Sequence, residues 1–142
     1  MPNNEDFLQI STMFKSFLKG ISQDWNKQDY PLNITQFKTL RTLSKNGPQN
    51  VSQIAAALGI TSAAITGVTD QLIAEDYVNK ERAKDDRRVV HITITQKGEA
   101  TIKEVQERHQ ELMESYFKIL PDEDIEHLRR IFAVIISDLD KR

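Results

Sequence analysis

The chain contains no cysteine. That excludes disulfide bonds, thiolate metal sites and any switch built on thiol oxidation. Glycine and proline are scarce too, 5 and 4 in 142 residues, too few for a fibrous or low-complexity chain. No apolar run approaches the roughly 18 residues of a membrane-spanning helix. The first residues, MPNNEDF, lack the basic and apolar regions of a secretory signal. The expectation is a cytoplasmic chain with no membrane contact. His91, His109 and His127 stand 18 residues apart and fit no ligand spacing such as H-E-x-x-H. They read as exposed or hydrogen-bonded side chains, and no metal or cofactor is expected. With no glycine-rich phosphate loop and no nucleophile elbow, the sequence does not read as an enzyme.

What is present suits a folded domain. Hydrophobic residues make up 39% and charged residues 28%, enough for one domain with a core or a small domain plus an extension. The net charge of −2 is unevenly spread. Residues 1–34 carry three lysines against four acids, a balance of −1. Residues 35–98 carry nine Lys and Arg against six acids, +3, and residues 99–142 carry seven against eleven, −4. Field at a ligand phosphate depends on local charge more than on the total. The middle of the chain is therefore the part suited to a polyanion, and the acidic end is expected to face away from it.

Apolar residues at 7, 10, 14, 17, 18, 21 and 25 follow helical spacing and predict a long amphipathic helix ending at Tyr30-Pro31. Thr35 is the expected N-cap of a second helix, through Ser44, closed by Asn46-Gly47-Pro48. Ser52 is the expected cap of a short helix, QIAAAL, that stops at Gly59. Thr61 caps the next, SAAITGVTDQLIAED, with Ile65, Val68 and Leu72 inward. Two short helices joined through a glycine turn form the helix-turn-helix pattern. Tyr77–Arg82 and Val89–Ile94 then predict a hairpin, with Val90, Ile92 and Ile94 on one face. A second long helix is expected from about Gln96 to Leu120 and a last one after Pro121-Asp122. The stretch IFAVII at 131–136 is more apolar than one contact face requires, which points to burial against a second copy.

The spacing places Ala63, Thr66, Gly67 and Asp70 on the outer side of the helix that starts at Ser62, with Ser62, Ala63, Thr66 and Gly67 nearest its N-terminus. In helix-turn-helix docking that end approaches base edges in the major groove. Hydroxyls can donate or accept there, and Gly67 permits close approach at a helix cost of about 1 kcal/mol. Thr61 to Asp76 holds no Lys or Arg and three acids, so specificity there rests on weaker contacts and DNA shape. The cations lie elsewhere. Lys38 and Arg41 suit the DNA backbone, and Arg82, Lys84, Arg87 and Arg88 surround the hairpin tip. Arg87 and Arg88 on a narrow tip can enter a minor groove, where negative potential is focused. Asp86 can orient Arg88, because the guanidinium fork matches a carboxylate.

The run Asp86-Arg87-Arg88, then Ile92-Thr93-Ile94-Thr95-Gln96-Lys97-Gly98, after a helix-turn-helix at 52–74, resembles the MarR (multiple antibiotic resistance regulator) family. The resemblance spans the whole chain. It implies a mainly α fold with a small β-hairpin: a winged helix-turn-helix at 35–98, flanked by dimerisation helices at 1–34 and 99–142. It also implies a homodimer with interleaved terminal helices, a ligand-responsive repressor on a pseudo-palindromic double-stranded DNA operator, and Arg88 as the minor-groove residue oriented by Asp86. Family members often respond to small phenolic or other lipophilic effectors, so such a partner is expected. Trp25, Tyr30 and Tyr116 are aromatic candidates for its wall, with core packing their expected role. The chain departs from the family pattern in two places. Asp76 stands where glycine is common, and Gly67 stands where many members carry a basic residue, which points to weaker operator affinity. The contrasting reading is a winged-helix module that binds protein and not specific DNA.

Overall fold

The computed structural model describes residues 1–142. Its order is α1 (Asn4–Lys27), α2 (Ile34–Asn46), α3 (Val51–Leu58), α4 (Ser62–Ala74), β1 (Val78–Arg82), β2 (Val90–Ile94), α5 (Gln96–Phe117) and α6 (Asp122–Asp140). The expected mainly helical chain with one hairpin is what forms. Two compact units divide it, Met1–Val105 and Gln106–Arg142.

Three helix starts in the first unit follow one rule. Asn3, Asn33 and Asn50 each accept a hydrogen bond from the backbone N–H three residues on, and that residue's side chain accepts from the asparagine N–H. These capping boxes satisfy two orphan donors at once. They move the starts of α2 and α3 ahead of the Thr35 and Ser52 expected from sequence. Asn33-Ile34-Thr35-Gln36 and Asn50-Val51-Ser52-Gln53 both hold a hydroxyl residue, but only the asparagine has Gln at the reciprocal position. Thr61 caps α4 as expected, accepting from Ala64 N at 3.1 Å.

The exits of α1, α3 and α4 turn on left-handed residues. Gly59 (φ 68°) closes α3, with Ile60 N donating to Ala55 O at 3.1 Å and Gly59 N to Ala56 O at 3.3 Å. Asp76 (φ 63°) closes α4 the same way: Tyr77 N donates to Leu72 O at 2.9 Å and Asp76 N to Ile73 O at 3.0 Å. Both are Schellman motifs. The second uses aspartate where glycine would be unstrained. Asp29 (φ 55°) likewise turns the chain after α1, which stops at Lys27, short of the expected Tyr30-Pro31.

Strands β1 and β2 pair antiparallel, Val78 opposite Ile94 and Lys80 opposite Ile92. Gln49 bridges the other edge of β2, its N–H donating to Ile92 O at 3.2 Å and its carbonyl accepting from Ile92 N at 2.7 Å. A two-stranded ribbon is marginal alone; this bridge ties it to the start of α3. Beneath lie the fully buried Leu40, Ile54, Ile65, Val78 and Ile92. Trp25 is buried beside Tyr30 and Phe37, with ring centroids 4.6 and 5.4 Å away, and its indole N–H donates to Leu32 O at 3.0 Å. Core packing is thus its structural role.

In the second unit α6 begins at Pro121 without a side-chain cap, and Asp122, Glu123 and Asp124 occupy its first turn. Those charges complement the helix dipole. None of its residues is buried, and Val134, Ile135, Ile136 and Leu139 are exposed. In the first unit, Phe7, Leu8, Ile10, Met13, Phe14 and Leu18 of α1 are exposed as well. Apolar faces this large are unusual on monomers. No single helix is long and apolar enough to cross a membrane.

Candidate nucleic-acid interface

The axes of α3 and α4 meet at 112°, with residues 59–61 as the break. Helix-turn-helix pairs cross at about 90–120° through a turn of about 3–4 residues. Helix α4 buries Ile65, Thr69 and Leu72, and Val68 is half-buried. Its other side leaves Ser62, Ala63, Thr66, Gly67 and Asp70 exposed. The Thr66 hydroxyl donates back to Ser62 O at 3.0 Å, while its lone pairs stay open to an outside donor. A Cβ added at Gly67 would meet nothing within 4 Å. The glycine therefore answers no internal packing demand. Asp70 lies 3.8 Å from Lys80 Nζ of β1, which offsets its repulsion of phosphate.

The hairpin tip is held by local hydrogen bonds. Arg88 donates from Nε to Asp86 Oδ1 at 3.1 Å and from Nη2 to Oδ2 at 3.2 Å, and its backbone N–H donates to Oδ1 at 3.0 Å. The Arg88 guanidinium, and next its N–H, hold the Asp86 carboxyl below the ordinary value of 3.8. The Arg88 side chain remains 91% exposed, so the pair fixes direction and adds little stability. Arg82 Nη1 donates to Arg87 O at 2.7 Å, and Val89 N donates to Asp86 O at 3.0 Å. Arg82 therefore braces the tip backbone from within the hairpin, a contact the sequence reading did not foresee. Lys84 and Arg87 are exposed at the tip.

The start of α3, Thr66 and Thr69 of α4 and the hairpin line an open groove of about 630 Å³ whose wall includes Ser52, Lys80, Arg82 and Arg88, while Ser62, Ala63 and Gly67 lie outside it. Thr66, Arg82 and Arg88 are thus brought to one feature. Lys38 and Arg41 are exposed on α2, outside that groove, and Arg41 lies over the Phe37 ring at 5.4 Å. No group of three or more His, Asp or Glu residues is placed to hold a metal.

The T-x-K-G segment has a contact pattern that sequence alone did not reveal. It captures three successive carbonyls at the exit of α4. Lys97 Nζ donates to Glu75 O at 2.7 Å; the Thr95 hydroxyl lies 2.7 Å from Asp76 O and 3.0 Å from Tyr77 O; Thr95 N donates to Tyr77 O at 3.0 Å. The same hydroxyl accepts from Gly98 N at 3.0 Å, capping α5. A Cβ at Gly98 would stand 2.4 Å from Tyr77 O, so only glycine lets α5 approach this closely.

A helix pair at this angle, a solvent-facing second helix and an arginine-tipped hairpin define a winged helix-turn-helix protein. The MarR family model matches residues 32–90. The HTH-type transcriptional regulator YpoP of Bacillus subtilis is 31% identical over 134 residues, covering 94% of this chain and 92% of that protein. Among solved structures, a MarR family protein from Bacillus stearothermophilus has a TM-score of 0.83 at 21% identity, with 99% of each chain covered. Streptococcus pneumoniae FabT, solved in complex with DNA, has a TM-score of 0.78 at 20% identity, over 96% of this chain and 99% of that one. At these identities the structures speak for the fold. The chain belongs to the MarR family: it is a helix-turn-helix transcriptional regulator and not an enzyme.

Proposed function

We propose that this regulator is a homodimer that grips a pseudo-palindromic operator through residues 35–98 of each copy and uses residues 1–34 and 99–142 to dimerise. The observation that carries the reading is Arg88, fixed by both carboxylate oxygens of Asp86 yet 91% exposed, in the same groove wall as Thr66 of α4. An oriented, solvated guanidinium at a narrow tip suits a minor groove. Ser62, Ala63, Thr66 and Gly67 then face base edges, with Arg82, Lys84 and Arg87 on the wing and Lys38 and Arg41 on phosphates. The exposed apolar faces of α1 and α6 are each covered by the second copy. Operation is in the cytoplasm as a repressor, released by a small lipophilic or phenolic effector, in keeping with the family resemblance.

Selection of duplexes from a random-sequence library at about 50 mM salt, where phosphate contacts are strong, tests the reading. Enrichment of an inverted repeat bound by a dimer is the expected result. Failure to retain any duplex at that salt would leave the winged module as a protein-binding domain.

A further inference from the structure

We infer that Thr95 and Lys97 are positioning residues for DNA recognition, acting through the exit of α4 and not by touching DNA. The inference rests on the DNA-binding reading above. The C-terminal end of a helix carries partial negative charge and unpaired carbonyls. At the end of α4, Lys97 places an ammonium 2.7 Å from Glu75 O and 4.8 Å from the centroid of the Tyr77 ring. Thr95 reaches the next two carbonyls, 2.7 Å from Asp76 O by its hydroxyl and 3.0 Å from Tyr77 O by its N–H. Its hydroxyl also takes the Gly98 N–H at 3.0 Å, so the same atom serves the end of α4 and the start of α5.

These bonds oppose a specific weakness. The corner at 75–77 turns through a left-handed aspartate, Asp76 at φ 63°, which is less content there than glycine. Left alone, the corner would let α4 pivot against β1, changing the spacing between the Ser62–Gly67 surface and the wing. With three carbonyls captured by one rigid segment, helix and wing are held as one template. Small errors of placement cost specific contacts to bases far more than they cost phosphate attraction.

The test compares an operator selected by the wild type with a scrambled duplex of equal length. Thr95→Val keeps size and charge while removing the hydroxyl. It should lower the ratio of specific to non-specific affinity by about tenfold, within the net contribution of the two hydrogen bonds the hydroxyl makes, one donated to Asp76 O and one accepted from Gly98 N. The slope of log affinity against log salt on scrambled DNA should not change, since no phosphate contact is lost. Lys97→Met should lower the ratio similarly, Thr95→Ser and Lys97→Arg should restore it, and Lys97, being exposed, should tolerate both changes without unfolding. A fall in both affinities that merely tracks the folded fraction by circular dichroism overturns the assignment, as does a loss of salt slope in Thr95→Val. If the wild type enriches no sequence, the DNA reading itself fails and this inference goes with it. If the wild type enriches a motif and Thr95→Val keeps the wild-type ratio, the DNA reading stands and only the positioning role falls.

Discussion

Replacing a helical glycine by alanine ordinarily stabilises a protein by up to about 1 kcal/mol, because alanine loses less backbone entropy. Gly67 and Gly98 both lie in helices, yet the structure assigns them opposite outcomes. At Gly67 a Cβ meets nothing within 4 Å, so Gly67→Ala should gain about 0.5–1 kcal/mol. At Gly98 the added Cβ would lie 2.4 Å from Tyr77 O, 2.7 Å from Ile94 Cγ1 and 3.3 Å from Ile94 Cδ1. The isoleucine can rotate; the carbonyl cannot withdraw without breaking its bond from Thr95 N. Overpacking of this kind costs about 1–3 kcal/mol, sometimes more, and outweighs the helix gain. Gly98→Ala should therefore lose about 1–3 kcal/mol. Urea denaturation followed by circular dichroism, at matched protein concentrations because dimerisation adds stability, reads both values. Gly98→Ala at or above wild-type stability would refute the packing argument. Gly67→Ala carries a second readout: it should weaken operator binding although it stabilises the fold, because the methyl group projects from the outer side of α4. Unchanged binding would mean that no base approaches there.

Three other perturbations separate further parts of the account. Asn33→Ala and Asn50→Ala should each cost about 1 kcal/mol by loss of a capping box; equivalent losses at Thr35 or Ser52 instead would show that the helices begin later. The Asp86 carboxyl is depressed in the folded wing, so its contribution is complete above its unfolded value and disappears only as pH falls through the lower folded one. An NMR titration should place the Asp86 midpoint below 3.8, and Arg88→Ala should move it up; no movement would mean that another group depresses it. The Arg88-dependent share of DNA affinity should accordingly stay flat, as far as Asp86 is concerned, between pH 8 and 5. Deleting residues 122–142 removes the exposed apolar face of α6 and should abolish dimerisation or folding, so a well-folded dimer in sedimentation would argue that this face is not an interface.

Helix identity, the helix-turn-helix and the hairpin were legible because each writes a period or a cap within a few residues: Ile65 and Leu72 on one stripe, Thr61 ahead of α4, Val90 alternating with Ile92. The starts of α2 and α3 were misplaced by two residues although the signal was present. Thr35 and Ser52 are good caps in isolation, and the deciding feature is Gln three residues after Asn33 and Asn50. The Asp86–Arg88 geometry lies within two residues and is local enough to anticipate. Arg82 read only as a cation at the tip, because its bond to the Arg87 carbonyl depends on how the hairpin closes. The Gln49 bridge to Ile92 and the Lys97 bond to Glu75 O join residues 43 and 22 positions apart. No periodicity encodes such pairs. For the same reason T-x-K-G read as a family signature, while its physical work, holding the corner where α4 meets the wing, became visible only in three dimensions.

Operator affinity measured as a function of salt for the wild type, Arg88→Ala and Lys141→Ala is the most direct test of the wing as the DNA grip. If the wing is that grip, Arg88→Ala weakens binding markedly and lowers the salt slope by about one, while Lys141→Ala, in the acidic terminal region, leaves both close to wild type. Equal effects from the two substitutions would contradict it.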